Sequence, residues 1–440
     1  MVGNSIPRVD AYEKVTGRAK FTDDLAPANC LVAKILHAKI GNGIVTSIDT
    51  SEAEAMEGVV KVVTFKDVPD HCYPTPGHPW SVELAHQDVA DRNLLTGRVR
   101  YYGDDIAAVV AEDEVTASRA LNKIKVEYEE YPVVIDPKKS MYGSRPPVHF
   151  DKKDNVLVRS NYFIGDVDAG LAQSDLIVKR HYKTPMVQHC HIENPVSYAY
   201  MEKGRIVVVA STQIPHIMRR VIGQALGIPW GRVRVIKPYI GGGFGNKQDV
   251  LYEPLNAFLT MQVGGRPVKL EVSREETFCN TRTRHSVEYD LAAGVDKEGH
   301  LLAKDMKAYS NQGAYASHGH AIAANGLTSW RLQYACPNIR GEAYTVYTNT
   351  PVGGAMRGYG IPQVCFGIES FMDDIAHELQ MDPLEFRRKN LIHGYYEDNY
   401  LKPIAANTNG IFECLEKGAD YIHWDEKRKE YAHQTGSIRR

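Results

Sequence analysis

The 440-residue sequence predicts a mixed α/β, or α+β, fold built in two parts. Three observations predict it. Asp105–Glu112 (DIAAVVAE) is an apolar run short enough for a buried strand. It is followed by a helical and then an alternating segment, a strand–helix–strand unit of about 30 residues. Beyond residue 155 strand-like and helical stretches keep alternating.

Taken in order, Glu112–Lys123 reads as a helix, with Val115, Ala120, Leu121 and Ile124 predicted to form its inner face. In the segment that follows, Ile124, Val126 and Tyr128 alternate with Lys125, Glu127 and Glu129, the period of a half-exposed strand. Asp136–Asp154, rich in Pro, Lys, Asp and Gly, is the best linker candidate. The expected division is therefore a compact α/β unit over 1–137, a linker over 138–154 and a larger domain over 155–440. In the larger domain Arg205–Ser211 and Arg232–Ile236 are strand-like, with a helical pattern at Pro215–Leu226 between them. Val250–Met261 reads as a buried helix that holds Glu253-Pro254 in its middle, and Pro267–Val272 as a strand. Pro362–Leu379 reads as a long helix with Phe366, Ile368, Phe371, Ile375 and Leu379 on one side. Asp382-Pro383-Leu384-Glu385 is a helix start: Asp caps, Pro fits the first turn and Glu meets the N-terminal dipole.

Composition excludes several classes. Lys+Arg 52 against Asp+Glu 54 leaves a net charge of −2, so nucleic acid is not expected as a partner. With 43% apolar and 24% charged residues, wholesale disorder is excluded. No apolar run approaches the about 18–20 residues that cross a bilayer, and the first residues lack the order of a secretory signal. A cytoplasmic protein without a membrane partner is expected. The seven cysteines are scattered with no C-x-x-C pair, so an iron–sulfur cluster on this chain is not expected and reduced, mostly buried thiols are.

The strongest local signal is Tyr239–Val250, YIGGGFGNKQDV. It fits neither a dinucleotide fingerprint nor a P-loop. It reads as a strand–glycine turn–helix entry whose amides could hold an oxyanion or a metal-oxo ligand, or as a tight turn needed for packing. Gly353–Gly360 (GGAMRGYG) surrounds Arg357 with small residues, so that its guanidinium could meet an anion; the alternative is a structural arginine. Gln213, at the end of the Arg205–Ser211 strand, could donate an amide to a ligand oxygen. His189-x-His191, with Glu193, and His318-x-His320 would each share a face on a strand and so open a metal reading, although no zinc-site signature accompanies them. A serine hydrolase is disfavoured by the absence of G-x-S-x-G.

Read jointly, RVDAYEKVTGRAKFTDD (Arg8–Asp24), YYGDDIAAVVAED (Tyr101–Asp113), STQIPH (Ser211–His216), GGGFGNKQD (Gly241–Asp249), RTRH (Arg282–His285) and GAMRGYGIPQ (Gly354–Gln363) resemble, in this order, the molybdenum-binding subunit of the xanthine dehydrogenase family of molybdenum hydroxylases. The resemblance implies a hammerhead-like α/β domain followed by the first part of a molybdopterin-binding domain. It implies a molybdenum–molybdopterin cofactor, with the cytosine dinucleotide as one form, and 2Fe–2S clusters and FAD on partner subunits. The metal is then held by the pterin and not by side chains. Gln213, Phe244 and Arg357 would lie near the molybdenum, and Gly243, Gly245, Ala355 and Met356 would contact the cofactor. Gln248 would orient a substrate and Tyr359 would stack on it. The reaction implied is hydroxylation of an electron-poor carbon of a small N-heterocycle, such as a purine, with water as the oxygen source.

Two departures from the pattern matter. Purine-oxidising relatives carry a clamping arginine where this chain reads Ala323-Ala324-Asn325-Gly326, and many carry a glutamate at the position of Gln248. The family also continues for several hundred residues that supply the base glutamate, so no catalytic residue is expected on this chain and it should not turn over substrate alone. A natural split, completed by a second molybdopterin-binding chain in a hetero-oligomer, fits the length. The alternatives are a truncated, non-catalytic fragment with a structural or assembly role, and an aldehyde or nicotinate hydroxylase of the same family.

Overall fold

The computed structural model describes residues 2–79, 81–83, 87–143, 146–392 and 410–432, together with the backbone of the short pairing Tyr395–Tyr396 with Ile404–Ala405. Its centre is a seven-stranded sheet in the order Val233–Ile236, Arg205–Ala210, Val196–Glu202, Val268–Glu271, Leu31–His37, Asp105–Ala111 and Val59–Thr64. This sheet crosses the division expected from the sequence. Leu31–His37 pairs in parallel with Val268–Glu271, Leu31 opposite Val268 and Ala33 opposite Leu270. One core follows: Leu31, Ile35, Val63 and Val110 from the first part pack with Ile206, Val221, Leu255 and Leu270 from the second. The segment read as a linker is packed rather than free. Pro137–Gly143 is a helix, Ser140 Oγ donates to Tyr347 O at 2.6 Å, Val148 is buried, and His149 Nε2 meets Ala314 O at 2.8 Å.

A five-stranded sheet, ordered Val156–Ile164, Ile339–Tyr347, Leu301–Gly313, Val287–Val295 and Leu176–Thr184, forms the second body. Its core gathers Tyr289, Met306, Trp330, Phe371 and Phe386 beneath the Gly319–Leu332 and Ile361–Glu378 helices. A three-stranded sheet of Arg98–Val99, Gly43–Asp49 and Lys125–Glu130 completes the first part.

Local chemistry sets the helix ends. Asp113 caps Glu114–Leu121 by accepting from Thr116 N, and Asp382 caps Pro383–Asn390 by accepting from the Leu384 and Glu385 amides. Pro215 opens the helix that ends at Leu226, where Gly227 takes the left-handed conformation with φ 65°. The helix after the glycine turn spans Glu253–Gln262, so Glu253-Pro254 stands at its start and not in its middle. Proline at the second position lacks the amide that an interior site needs, which fixes the start there. Two inner faces differ from expectation. Val115 is exposed, and Ala117 faces inward beside the expected Ala120; Phe366 is exposed, while Val364, Ile368, Phe371 and Ile375 are buried. Four of the seven cysteines, Cys72, Cys190, Cys279 and Cys414, are exposed, and only Cys336 is buried. Among the described residues no helix is long and apolar enough to cross a membrane.

Candidate cofactor and substrate site

The Val233–Ile236 strand delivers the glycine turn beside the end of Arg205–Ala210, which carries Gln213. Gln213 Oε1 accepts from Gly245 N at 2.9 Å, and Gln213 N donates to Lys247 O at 2.9 Å. A side chain at Gly243 would collide with that amide, because its Cβ would stand 2.5 Å from Gln213 Oε1. Gly245, at φ 114°, brings the turn against the second loop: a Cβ there would lie 2.3 Å from Ala355 O. Arg357 N donates to Phe244 O at 2.8 Å and ties the two loops together. Gln213, Gly243, Phe244, Gly245, Ala355, Met356 and Arg357 thus form one cradle. The turn continues into a single 3₁₀ turn, Asn246–Gln248, so no long helix begins at the glycines as the sequence had suggested.

The cradle offers donors. The amides of Gly242, Gly243, Phe244, Ala355 and Met356 make no hydrogen bond among the described residues. Phe244 holds the left-handed conformation, φ 53°, and remains 47% exposed. The Arg357 side chain is exposed and has no ion pair among the described residues, and Gln213 is exposed beside it. This donor set fits an oxygen-rich anionic cofactor.

The histidines singled out in the sequence hold the cradle from behind and lie on no strand. His189 Nε2 meets Ala355 O at 2.7 Å and its Nδ1 meets Arg282 O at 3.1 Å. His191 Nε2 accepts from Asn246 Nδ2 at 2.9 Å. Burial pushes His191 down to about 4, helped by the Lys247 charge, and burial lowers His189 too, against the raising effect of its two backbone carbonyl contacts. Glu193 Oε2 accepts from Gly241 N and from Lys247 Nζ, each at 2.7 Å, and so pins the start of the turn instead of joining the histidines as a ligand.

A buried ion pair lies under the substrate side. Arg282 Nε donates to Asp249 Oδ2 at 2.5 Å, and both side chains are fully buried. Thr75 Oγ1 and Ser317 Oγ donate to the same oxygen at 3.1 and 2.7 Å. Burial alone would raise the Asp249 carboxyl; Arg282 and His318 hold it far below the usual carboxylate range. Tyr359, at φ 47°, places its hydroxyl 2.9 Å from His318 Nδ1 and 3.0 Å from His78 Nε2. Gln248 is half-buried, and its side-chain amide makes no hydrogen bond among the described residues. Sequence reasoning missed His78, which sits in the PTPGHPW stretch between two prolines; the clustered Pro and Gly were the available signal.

His318 and His320 do not form the metal pair that their spacing had suggested. Among the described residues, only His78, Asp88 and His320 bring three ligand atoms close enough to share an ion. His78 Nδ1 already lies 2.5 Å from Asp88 Oδ1, and the Arg220 guanidinium stands 3.7 Å from Asp88 Oδ2. His78 and Asp88 already bond to each other, and a metal there would have to displace that bond.

The model of the molybdopterin cofactor-binding domain matches residues 148–391, and that of the aldehyde oxidase and xanthine dehydrogenase a/b hammerhead domain matches residues 16–132. The chain is 46% identical to the xanthine dehydrogenase molybdenum-binding subunit of Escherichia coli O157:H7 over 98% of its own length and 57% of that protein. The chain belongs to the xanthine dehydrogenase family of molybdenum hydroxylases. It spans little more than half of that relative, yet it matches 96% of the nicotinate dehydrogenase large molybdopterin subunit of Eubacterium barkeri, at 32% identity over 96% of the chain. The solved aldehyde oxidoreductase of Desulfovibrio gigas superposes with a TM-score of 0.88 at 29% identity, covering 99% of this chain and 48% of that one. The expected hammerhead and molybdopterin-binding architecture is therefore the fold of this family member.

Proposed function

We propose that this chain is one part of the catalytic unit of a molybdenum hydroxylase that oxidises purines or related N-heterocycles with water as the oxygen source. A second molybdopterin-binding chain completes the unit, and 2Fe–2S and FAD subunits carry the electrons away. The observation that carries the reading is the cradle: five amides with no hydrogen bond among the described residues, on two loops tied to each other and to Gln213, together with the exposed side chains of Gln213 and Arg357. The match to a nicotinate dehydrogenase subunit along nearly the whole of both chains supports a natural division of the unit between chains.

When bound, the molybdenum–pterin group supplies the redox centre and activates water. This chain's residues bind and orient. The amides of Gly243 and Phe244 and the Gln213 side chain donate to cofactor oxygens, preorganised by the bonds to Gly245 and Lys247. Arg357 supplies positive charge to the anionic group. Gln248, a neutral amide, orients the substrate without acting as a base, and Tyr359 offers an aromatic face and a hydroxyl. The base that takes a proton from water lies outside this chain's residues.

The test is turnover by the complex purified through a tag on this chain, with a dye as electron acceptor and ¹⁸O-labelled water. The expected result is oxidation of a purine or nicotinate with the label in the product. Oxidation of aldehydes alone would replace this reading with that of an aldehyde hydroxylase.

A further inference from the structure

We propose that His78, carried into the site by the first part of the chain, is a substrate-selecting residue. Its imidazole Nε2, an acceptor, and the Tyr359 hydroxyl, a donor, form a polar end of the pocket that binds a ring N–H and the carbonyl beside it on the edge of a flat heterocycle. The proposal rests on the reading of the chain as part of an N-heterocycle hydroxylase.

The segment Thr75–His78 lies directly across the two residues assigned to substrate. Pro76 bridges to Asp249, and Val250 N donates to Thr75 O at 2.9 Å. Gly77 presses on Gln248 so closely that a Cβ there would fall 2.6 Å from Gln248 O and 3.1 Å from its Cγ. The next residue, His78, turns its ring onto Tyr359. Gln248 and Tyr359 are thus both touched by one tetrapeptide lying more than 170 residues earlier in the chain.

The ring is held in a defined orientation. Asp88 Oδ1 accepts from His78 Nδ1 at 2.5 Å, and Arg220 donates to His78 O at 3.1 Å. Nε2 is left to face Tyr359 OH at 3.0 Å and His318 Nδ1 at 3.2 Å. His318 and Asp88 are buried, with side-chain exposures of 0% and 3%, whereas His78 keeps 28%. His78 is therefore the end of this polar network that a ligand can reach. A ring N–H beside a carbonyl, arriving there, donates to Nε2 while the carbonyl oxygen accepts from the Tyr359 hydroxyl. The Ala323–Gly326 stretch on the neighbouring helix brings no charged side chain to compete for this role. Selection arises because a ring lacking the N–H and the carbonyl makes neither of these bonds.

The experiment uses the assembled enzyme with its molybdenum content measured, and compares hypoxanthine, which has a ring carbonyl, with unsubstituted purine. The proposal expects His78→Ala to lower the preference for hypoxanthine, as the ratio of the two kcat/KM values, at least tenfold. The loss should sit mainly in KM. His78→Gln, which keeps an acceptor, should recover part of it. If wild type oxidises both substrates and the ratio stays within twofold in both variants, His78 does not select and the proposal is overturned. Equal losses on both substrates would assign His78 a purely structural role and overturn it as well. If molybdenum-replete wild type oxidises neither, the N-heterocycle reading fails first and the proposal falls with it.

Discussion

Arg357 is the residue whose environment is hardest to explain without a bound anion. Its side chain is exposed, carries no ion pair among the described residues, and sits on a loop locked by Arg284, which donates to Arg357 O at 2.8 Å, and by its own bond to Phe244 O. Arg357→Ala should therefore leave the thermal midpoint of the free chain within about 1–2 °C, as expected of an exposed unpaired side chain. Molybdenum content of the assembled enzyme should fall severalfold, as metal analysis per mole of complex would show. Unchanged metal content would remove Arg357 from the cofactor site. The sequence made Gln213, the glycine turn and the Arg357 loop legible because each carries a local signature, a strand end or a run of small residues. His78, Asp88, Thr75 and the Asp249–Arg282 pair were not legible. Their partners lie 10 to 281 residues away, and isolated polar residues give no local sign of whom they will meet.

At the scale of elements, the joint between the two parts of the chain contains a titratable clasp. His37, at the end of the Leu31–His37 strand, lies 2.9 Å from Asp105 and 3.2 Å from Glu276. Glu276 also closes the capping box of the Arg274–Asn280 helix with Ser273. Burial opposes a charge on His37, but the two carboxylates outweigh it and raise its pKa from 6.5 to about 9. A raised pKa in the folded state means that protonated His37 stabilises the fold. That contribution is complete below pH 6.5 and is lost as the pH rises through about 9. The chain should lose up to about 3 kcal/mol of stability across this window through this group. Urea denaturation of wild type and His37→Gln between pH 6 and 10 should show the gap between them closing as the pH rises, and a constant gap would refute the clasp. Helices were legible where capping chemistry is local, as at Asp382 and Pro215. Their inner faces were less so. Val115 and Phe366 are apolar and near the right period, yet tertiary packing selected the small Ala117 and the offset Val364 instead.

For the whole molecule, the sheet that joins the parts explains how residues from the first part come to serve a site in the second. The pairing of Leu31–His37 with Val268–Glu271 and the bridge from Pro76 to Asp249 make the two parts one body around the site. A composition shift marked 138–154 as a boundary, but long-range strand pairing leaves no local trace in sequence, so the shared sheet could not be read from it. The cradle is open on one side, with Gln213, Phe244 and Arg357 all exposed there, and this is the face that a completing chain would cover. The chain spans 57% of the Escherichia coli subunit and 96% of the Eubacterium barkeri one. The most direct test is to purify the chain through a tag from its native host, identify what accompanies it by mass spectrometry, and measure molybdenum in the complex. The account predicts a second molybdopterin-binding chain, iron–sulfur and flavin subunits, and near one molybdenum per complex. Recovery of the chain alone and free of molybdenum would contradict it.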